Sequence, residues 1–400
     1  MAQKSDFRGS NIVCFSTADW DTLLPTNKHQ LMRRFAKRGA RVLYLETLGT
    51  RAPKLGSGTD LTRIAKRLAR GFSGAKRREK NLWTASPVVM PRWKTAPQIK
   101  LNQIAFNAQL GSVLPEFEKP IAWVYSPYAV HLIDAVKPSV VVYHMVDDLS
   151  AVPGADVEAI CDAEVKMIAR ADVIFCTERS LFDRAKRINA NSHFMPNVAD
   201  YEHFSRAGKT KSRGIAKIKS LPRPRIVFSG NLAPHKVDFK LCRELAKRSP
   251  RWQWVFIGPV WEGARSRDFD ALTTTSNVTM TGHVPYEDLP AWLHEADVLV
   301  IPYAKNEATN AVFPLKLFEY LATGKPVVSS AIPSITGYSP AIKIARTADG
   351  WIRAIEDALR DSEDFKAQRI ELARRNNWER RIEEMWAEVT KLFTRTKGVK

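Results

Sequence analysis

Two lysines and one glutamate in the second half of the chain have the types and spacing to bind a phosphorylated ligand. Lys316 and Glu319 lie one helical turn apart, and Lys236 follows an apolar run that ends at Ser229-Gly230. Ammonium groups held in a closed site stabilise negative charge on phosphate oxygens, and a carboxylate can accept hydrogen bonds from both hydroxyls of a diol. These residue types suit the diphosphate and the ribose of a nucleotide. The alternative roles are a helix-surface glutamate and exposed lysines.

Short β-branched runs alternate with helical patterns along the whole chain, as in 27–38, where a helix is predicted. Strands alternating with helices predict βαβ units and a parallel sheet. The sequence therefore predicts an α/β fold made of two Rossmann-like, doubly wound domains. The predicted strands are 12–15, 41–45, 121–125, 140–143 and 173–176 in the first half, and 225–229, 254–257, 278–281, 298–303, 326–329 and 342–345 in the second.

A basic segment interrupted by glycine and proline, residues 206–224, separates the two halves. Such a composition is typical of a domain boundary, and 400 residues exceed the size at which a single core keeps growing. We therefore expect an N-terminal domain at 1–205, a basic linker at 206–224 and a C-terminal domain at 225–375.

Residues 313–328 read FPLKLFEYLATGKPVV. This segment resembles the P-x-K-L-x-E-Y-L-A-x-G-K-P-V signature of retaining, nucleotide-sugar-dependent glycosyltransferases of the GT-B fold, group 1 or family 4. Three further matches occur in the expected order: SGNL at 229–232 with Lys236, FIGP at 256–259, and GHVPY at 282–286. The resemblance implies two Rossmann-like domains facing a central cleft, and a C-terminal helix at about 376–400 that packs back on the N-terminal domain.

The resemblance also implies roles for individual residues. Glu319 is expected to contact the ribose, and Lys236 and Lys316 the diphosphate, of a nucleoside-diphosphate sugar that is the donor substrate; no separate cofactor is expected. The other expected donor-binding residues are Gly230, Asn231, Gly258, Glu307, Asn310, Pro314 and Leu315.

Two positions depart from the family pattern. Many relatives carry arginine where this chain has Asn231, and the first glutamate of their E-x₇-E pair falls at Ala311. Phosphate binding would then depend on the lysines and on helix N-termini. The sugar contacts would come from 306–313, with Glu307 and Asn310 as candidates.

In the first half, Tyr143-His144-Met145-Val146-Asp147-Asp148 follows a predicted strand. It resembles a Y-x-x-V-D-D segment of polysaccharide-building relatives, as Asp19-Trp20-Asp21 and His29-Gln30-Leu31 resemble their W-D…H-L opening. We predict that His144 or Asp147 orients or deprotonates the acceptor hydroxyl. A helix N-cap at Asp147 or Asp148 is the alternative.

The bulk composition limits the function classes. The chain has no apolar run long enough to span a bilayer, and its four cysteines form no C-x-x-C pair, which predicts reduced, core-filling thiols and a cytoplasmic protein. We expect no metal, because the chain contains no convincing D-x-D metal site. The formal net charge of +20 predicts an anionic partner. Nucleic acid is disfavoured by the absence of a known binding module.

The basic segment 61–80 has the pattern of an interfacial helix. Leu61, Ile64, Leu68 and Phe72 recur on one face, with basic residues on the rest. We expect this segment to bind an anionic membrane surface at the inner face; an ordinary helix packed on the core is the alternative. The predicted function is retaining sugar transfer to a lipid-linked or growing polysaccharide acceptor in a bacterium. The alternatives are a GT-B sugar-nucleotide epimerase and a catalytically inactive binding subunit of an envelope assembly.

Overall fold

The computed structural model describes residues 7–47, 74–90, 93–151, 154–209, 212, 214–260 and 266–397. The chain divides into two compact units. The first comprises Met1–Pro196 with Ile382–Lys400, and the second comprises Asn197–Arg381. The α/β architecture predicted from the sequence is confirmed in both units, since each contains a largely parallel sheet.

The first unit is built on an eight-stranded sheet. Its strands are β1 Asn11–Phe15, β2 Arg41–Leu45, β3 Lys76–Glu79, β4 Leu82–Ala85, β5 Ile121–Val124, β6 Val140–Met145, β7 Val173–Cys176 and β8 Ser192–Phe194. The order across the sheet is β3-β4-β2-β1-β5-β6-β7-β8. Neighbouring strands are parallel except β3 and β4, which are antiparallel.

Both faces of this sheet are buried, which explains why its central strands are continuously apolar. Val13 and Phe15 belong to one buried cluster, whereas Ile12 and Cys14 belong to another. Alternate residues of a strand point to opposite faces, so the two clusters are the two sides of the sheet. The helices in this part of the unit are α1 Asn27–Lys37, α2 Ala96–Leu110, α3 Val157–Arg170 and α4 Arg179–Ile188.

The second unit has a six-stranded sheet in which every neighbouring pair is parallel. Its strands are β9 Arg225–Ser229, β10 Gln253–Ile257, β11 Val278–Gly282, β12 Val298–Ile301, β13 Val327–Ser330 and β14 Lys343–Ala345. The order is β11-β10-β9-β12-β13-β14. The strand order reverses between β9 and β12, and ligands of doubly wound sheets bind outside the carboxyl ends of the strands at such a point.

The remaining helices run from the start of the second unit to the C-terminal region. They are α5 Tyr201–Phe204, α6 Ile215–Lys219, α7 Phe239–Arg248, α8 Arg267–Thr273, α9 Leu289–His294, α10 Glu307–Asn310, α11 Lys316–Ala322, α12 Ala348–Leu359, α13 Glu363–Arg375 and α14 Trp378–Lys397.

The segment expected as a linker, 206–224, is folded where the structure describes it. It contains α6, and Ile218 on that helix is fully buried in the core of the second unit. The division between the units falls at Asn197, before this segment. The basic composition of 206–224 therefore indicates a solvent-exposed part of the second unit, in which an apolar residue such as Ile218 packs into the core.

From Ile382 onward, α14 belongs to the first unit. Ile382, Met385 and Val389 lie in the buried cluster that contains Phe7 and Phe35. Trp386 packs its ring on both phenylalanines, with centroids 4.5 Å from Phe7 and 5.7 Å from Phe35. One face of α14 is therefore buried, as in an amphipathic helix packed on a core.

Most of the predicted interfacial segment, 61–73, lies outside the described residues. The basic residues that follow it form strand β3, at the edge of the first sheet. No helix within the described ranges is long and apolar enough to cross a membrane. The cysteines are free; Cys14, Cys176 and Cys242 are buried, but Cys161 is exposed and does not fill a core.

Candidate functional site

Two glycines at the carboxyl ends of β9 and β10 bring backbone segments into direct contact. A Cβ added to Gly258 would lie 2.0 Å from the Gly230 carbonyl oxygen, and both residues have a φ of +140°. Only glycine adopts this conformation without strain, and only glycine leaves room for the neighbouring backbone. The Gly230 N–H donates to the Ile257 carbonyl at 2.8 Å, so the end of β9 is held against the end of β10.

Helix α11 is fixed to the end of β9 by a buried tyrosine. The Ser229 backbone N–H donates to the Tyr320 hydroxyl at 2.7 Å, and the two side-chain hydroxyls are 3.1 Å apart. Tyr320 is fully buried, together with Leu317 and Leu321. These contacts fix the orientation of the helix that carries Lys316 and Glu319.

The ammonium of Lys316 lies beside Gly230. A Cβ on Gly230 would be 3.2 Å from Lys316 Nζ, and the ammonium donates to the Tyr303 hydroxyl at 2.6 Å. It also lies over two aromatic rings, 4.8 Å from the centroid of Tyr303 and 5.2 Å from that of Phe228. Hydrogen bonding and cation–π attraction therefore act on the same charged group.

Tyr303 was not among the residues predicted from the sequence. It lies two residues after the end of β12, where its hydroxyl accepts a hydrogen bond from Lys316 and its phenol is subject to the charge of Lys236. Burial alone would raise the pKa of the Tyr303 phenol, but the charges of Lys316 and Lys236 and the hydrogen bond from Lys316 outweigh burial, and the pKa lies below its usual value. The only sequence signal was an aromatic residue at the carboxyl end of a predicted strand.

Lys236 is half-buried on the loop after β9. Its carbonyl accepts a hydrogen bond from the Ala304 N–H at 2.9 Å, which ties this loop to the loop after β12. Among the residues described, no ion pair joins Lys236 or Lys316 to a carboxylate, and the hydrogen-bond partner of Lys316 is Tyr303. The two ammonium groups thus leave a local excess of positive charge at the switch point of the sheet.

Glu319 lies on the same helix as Lys316 and is half-buried. Burial raises the pKa of this carboxyl to about 7, and the nearby charge of Asp200 adds to the shift while Lys316 opposes it. Within the part of the chain that the structure describes, no hydrogen bond or ion pair satisfies the carboxylate. A half-buried, unsatisfied carboxylate is suited to accept hydrogen bonds from a ligand.

The other predicted donor-binding residues lie after β9, on α10 and just before α11. Asn231 follows Gly230, and its buried Oδ1 accepts no hydrogen bond from the described residues. Pro314 is buried and Leu315 half-buried, just before α11 begins. Glu307 and Asn310 are exposed on α10, which is tied to the loop after β9 by a hydrogen bond from Asn306 Nδ2 to the His235 carbonyl at 2.9 Å. That Glu307 and Asn310 contact a sugar stays a prediction.

In the first unit, His144 lies inside the core on β6 and is 1% exposed. Trp123 Nε1 donates to His144 Nδ1 at 3.4 Å, and the imidazole packs on the Tyr125 ring at 5.0 Å. This burial favours a structural role, because an acceptor hydroxyl must reach the ring for it to act as a base. Deprotonation of an acceptor by His144 stays a prediction that the local packing does not support.

Asp147 and Asp148 follow β6 and differ in their contacts. Asp148 accepts hydrogen bonds from the Ser150 N–H at 3.0 Å and from Arg184 at 3.1 Å. Burial tends to raise the pKa of Asp148, but these hydrogen bonds and the Arg184 charge outweigh it and hold the pKa below its usual value. Asp147 is half-buried and has no side-chain hydrogen bond to the described residues. Asp148 is therefore the structural carboxylate, and Asp147 stays the candidate for acceptor contact.

The residues of the W-D…H-L opening make internal contacts. His29 Nε2 lies 3.0 Å from the Asp19 carbonyl, and burial lowers the pKa of His29 to about 4. Asp21 pairs with Arg78 at 2.8 Å. A neutral, buried His29 holds the loop after β1 in place.

The chain was compared with known proteins. A family model described as Glycosyl transferases group 1 matches residues 223–361. The putative teichuronic acid biosynthesis glycosyltransferase TuaH of Bacillus subtilis (strain 168) is 33% identical over 236 residues, which cover 55% of this chain and 57% of that protein. The match therefore spans little more than half of this relative.

Solved structures of similar fold cover nearly the whole chain. Sucrose-phosphate synthase from Thermosynechococcus elongatus gives a TM-score of 0.71 at 15% identity, covering 96% of this chain and 99% of that one. α,α-Trehalose 6-phosphate synthase from Burkholderia multivorans gives 0.67 at 13%, covering 97% and 100%. Anabaena HepE in complex with UDP and glucose gives 0.64 at 13%, covering 95% and 99%. At such identities the likeness establishes the fold alone.

Three observations agree: the signature at 313–328, the two Rossmann-like units, and the family match. The fold class predicted from the sequence is confirmed. Residues 223–361 therefore match the group 1 family of glycosyl transferases, within a chain that has the GT-B fold.

Proposed function

We propose that this protein is a glycosyltransferase that moves a sugar from a nucleoside-diphosphate sugar to an acceptor in polysaccharide biosynthesis. The observation that carries the proposal is the arrangement of Lys316, Lys236 and Tyr303 beside Gly230, at the switch point of the second sheet. Two cations without a carboxylate partner in the described residues suit a diphosphate. Glu319, on the same helix, suits the ribose diol.

The chemistry required of these residues is stabilisation of a departing nucleotide. Breaking the anomeric bond builds negative charge on the phosphate that leaves, and preorganised cations lower that barrier because they need little reorganisation. Lys316 is held by two rings and a hydroxyl, which is the preorganisation that this role needs. We propose that the transfer proceeds with retention of anomeric configuration.

The proposed acceptor is a lipid-linked or growing polysaccharide at the cytoplasmic face of the membrane, bound by the N-terminal domain. The name of the Bacillus subtilis relative, which refers to teichuronic acid biosynthesis, supports an envelope polysaccharide. The formal net charge of +20 supports an anionic surface as partner. In this proposal, the basic segment 61–80 binds that surface.

We also propose that transfer needs no metal ion. Among the residues described, no group of three histidine, cysteine, aspartate or glutamate side chains is placed to bind one. The two lysines would supply the charge that a divalent cation supplies elsewhere.

The test is release of nucleoside diphosphate from a panel of UDP-, GDP- and ADP-sugars, with and without membrane extract. Release that needs Lys316, and that is lost in Lys316→Met, supports the transferase. The matched control is Lys343→Met, which removes a half-buried lysine from β14 in the same unit. Binding without turnover under all conditions would indicate instead an inactive binding subunit, which the departures at Asn231 and Ala311 favour.

A separate test addresses the membrane surface. Flotation with anionic liposomes should fall strongly when Arg63, Lys66, Arg67 and Arg70 are changed to glutamine, because each basic residue near an anionic surface contributes about 1 kcal/mol. Unchanged flotation would refute the proposed membrane binding, whereas the proposed transferase activity would still stand.

A further inference from the structure

We infer that Tyr303 is the residue that positions the Lys316 ammonium for contact with the donor phosphate. The inference rests on the proposed function, which places a diphosphate beside Gly230. The observation is the hydrogen bond of 2.6 Å from Lys316 Nζ to the Tyr303 hydroxyl, made between the first residue of α11 and a residue on the loop after β12.

A lysine needs such a partner because its side chain is long and freely rotating. Ordering it costs about 1.5–2 kcal/mol of conformational free energy. Here the ammonium has the Tyr303 hydroxyl as its hydrogen-bond partner, and it lies over the rings of Tyr303 and Phe228. Gly230 completes the arrangement, since a side chain there would be 3.2 Å from Lys316 Nζ. The position is therefore set before any ligand arrives.

The chemical nature of the partner matters. A carboxylate at this place would neutralise the ammonium and compete with a phosphate for it. A neutral phenol accepts one hydrogen bond from the ammonium and does not neutralise its positive charge. The two other N–H groups of the ammonium remain available to a ligand. Tyr303 also retains its own O–H, for which the structure records no acceptor among the described residues. Tyr303 thus fixes the position of the Lys316 ammonium while the ammonium keeps its charge and can bind an anionic ligand.

The surroundings predict how the pair responds to pH. The charged groups facing the phenol are Lys316, Lys236 and Glu319, and the two lysines hold the Tyr303 pKa below its usual value against the opposing effect of burial and of the carboxylate. When the phenol ionises, the phenolate pairs with Lys316 and withdraws it from the ligand. Affinity for a nucleoside diphosphate should therefore decrease as the pH rises through the Tyr303 pKa.

The test compares Tyr303→Phe with the wild-type protein by calorimetric titration with UDP, GDP and ADP between pH 7 and 10. The variant keeps the ring and its packing but loses the hydroxyl. We expect about tenfold weaker binding at pH 7, the loss that one charge-assisted hydrogen bond corresponds to, and no decrease assignable to the phenol at higher pH. The matched control is Tyr338→Phe, which removes the hydroxyl of a half-buried tyrosine packed on Phe318.

The outcomes separate the two proposals. If the folded wild-type protein binds none of the three nucleotides, the proposed function fails and this inference fails with it. If the wild type binds and Tyr303→Phe binds equally well with the same pH profile, the positioning role is wrong while the function stands. Equal losses in Tyr303→Phe and Tyr338→Phe would also overturn it, because a general loosening of the unit would then explain both.

Discussion

Replacing Glu319 with glutamine should make the protein more stable while it weakens ligand binding. In the folded protein the pKa of Glu319 is about 7 instead of 4.5, chiefly because the carboxyl is removed from water. The described residues offer it no hydrogen-bond partner. An ionised Glu319 therefore opposes folding, and a neutral amide of the same shape removes that cost.

The magnitude and its pH dependence follow from the two pKa values. Below pH 4.5 the carboxyl is protonated in both the folded and the unfolded protein, and it contributes nothing. Between pH 4.5 and 7 it ionises in the unfolded protein first, so the wild type loses stability relative to the variant as the pH rises. At about 1.4 kcal/mol per pKa unit the full cost near pH 8 is roughly 3 kcal/mol, and about half of that after allowance for partial exposure.

Chemical denaturation of wild type and Glu319→Gln at pH 5 and pH 8 measures this difference directly. We expect nearly equal free energies of unfolding at pH 5 and a variant more stable by about 1–3 kcal/mol at pH 8. In the same samples the stabilisation by a saturating nucleotide should fall in the variant, because the ligand loses its carboxylate acceptor. A variant that is less stable than the wild type at pH 8 would refute the reasoning, since Glu319 would then have a stabilising partner in the folded protein.

Three other changes test separate parts of the structure. Gly258→Ala should destabilise the second unit by about 1–3 kcal/mol or more, measured by urea unfolding, because its Cβ would lie 2.0 Å from the Gly230 oxygen. The control is Gly337→Ala, which should change stability little because the added Cβ meets open space. Trp386→Ala should lower the free energy of unfolding by about 3–5 kcal/mol by the same measurement, since the residue is 7% exposed and its ring packs on Phe7. A decrease below about 1 kcal/mol would show that α14 does not stabilise the first unit. Sugar transfer, assayed as nucleoside diphosphate release, should persist in EDTA; its loss in EDTA and return with a divalent ion would exclude the metal-independent mechanism.

Eleven of the fourteen strands in the described residues, and the signature helix, could be predicted from the sequence because their causes are local; β3, β4 and β8, at the two ends of the first sheet, were not predicted. The run that became β9 is apolar and β-branched over consecutive residues, as a strand buried on both faces must be. Helix α11 was predicted from the resemblance of its segment to a known signature. The boundary predicted at 206–224 was less accurate, because a basic composition indicates exposure to solvent and does not reveal the burial of a single apolar residue such as Ile218.

The candidate site was predicted only in part. Gly230, Gly258, Lys236 and Lys316 are brought together with Tyr303, which the sequence did not identify. His144 had the residue type and position of a catalytic base, yet it is enclosed by aromatic rings. A residue type records what a side chain is able to do, whereas its neighbours decide whether a substrate can reach it.

The sequence by itself determined the alternation of strands and helices, the two-domain organisation and the resemblance of residues 313–328 to the glycosyltransferase signature, since these depend on patterns among residues close along the chain. Only the tertiary structure decided that the Lys316 ammonium meets Tyr303 and that Glu319 stands without a partner in the described residues. The physical reason is that β9 and β12 lie side by side although they are distant in sequence. Their crossover connections, and the close approach allowed by Gly230 and Gly258, bring these atoms together.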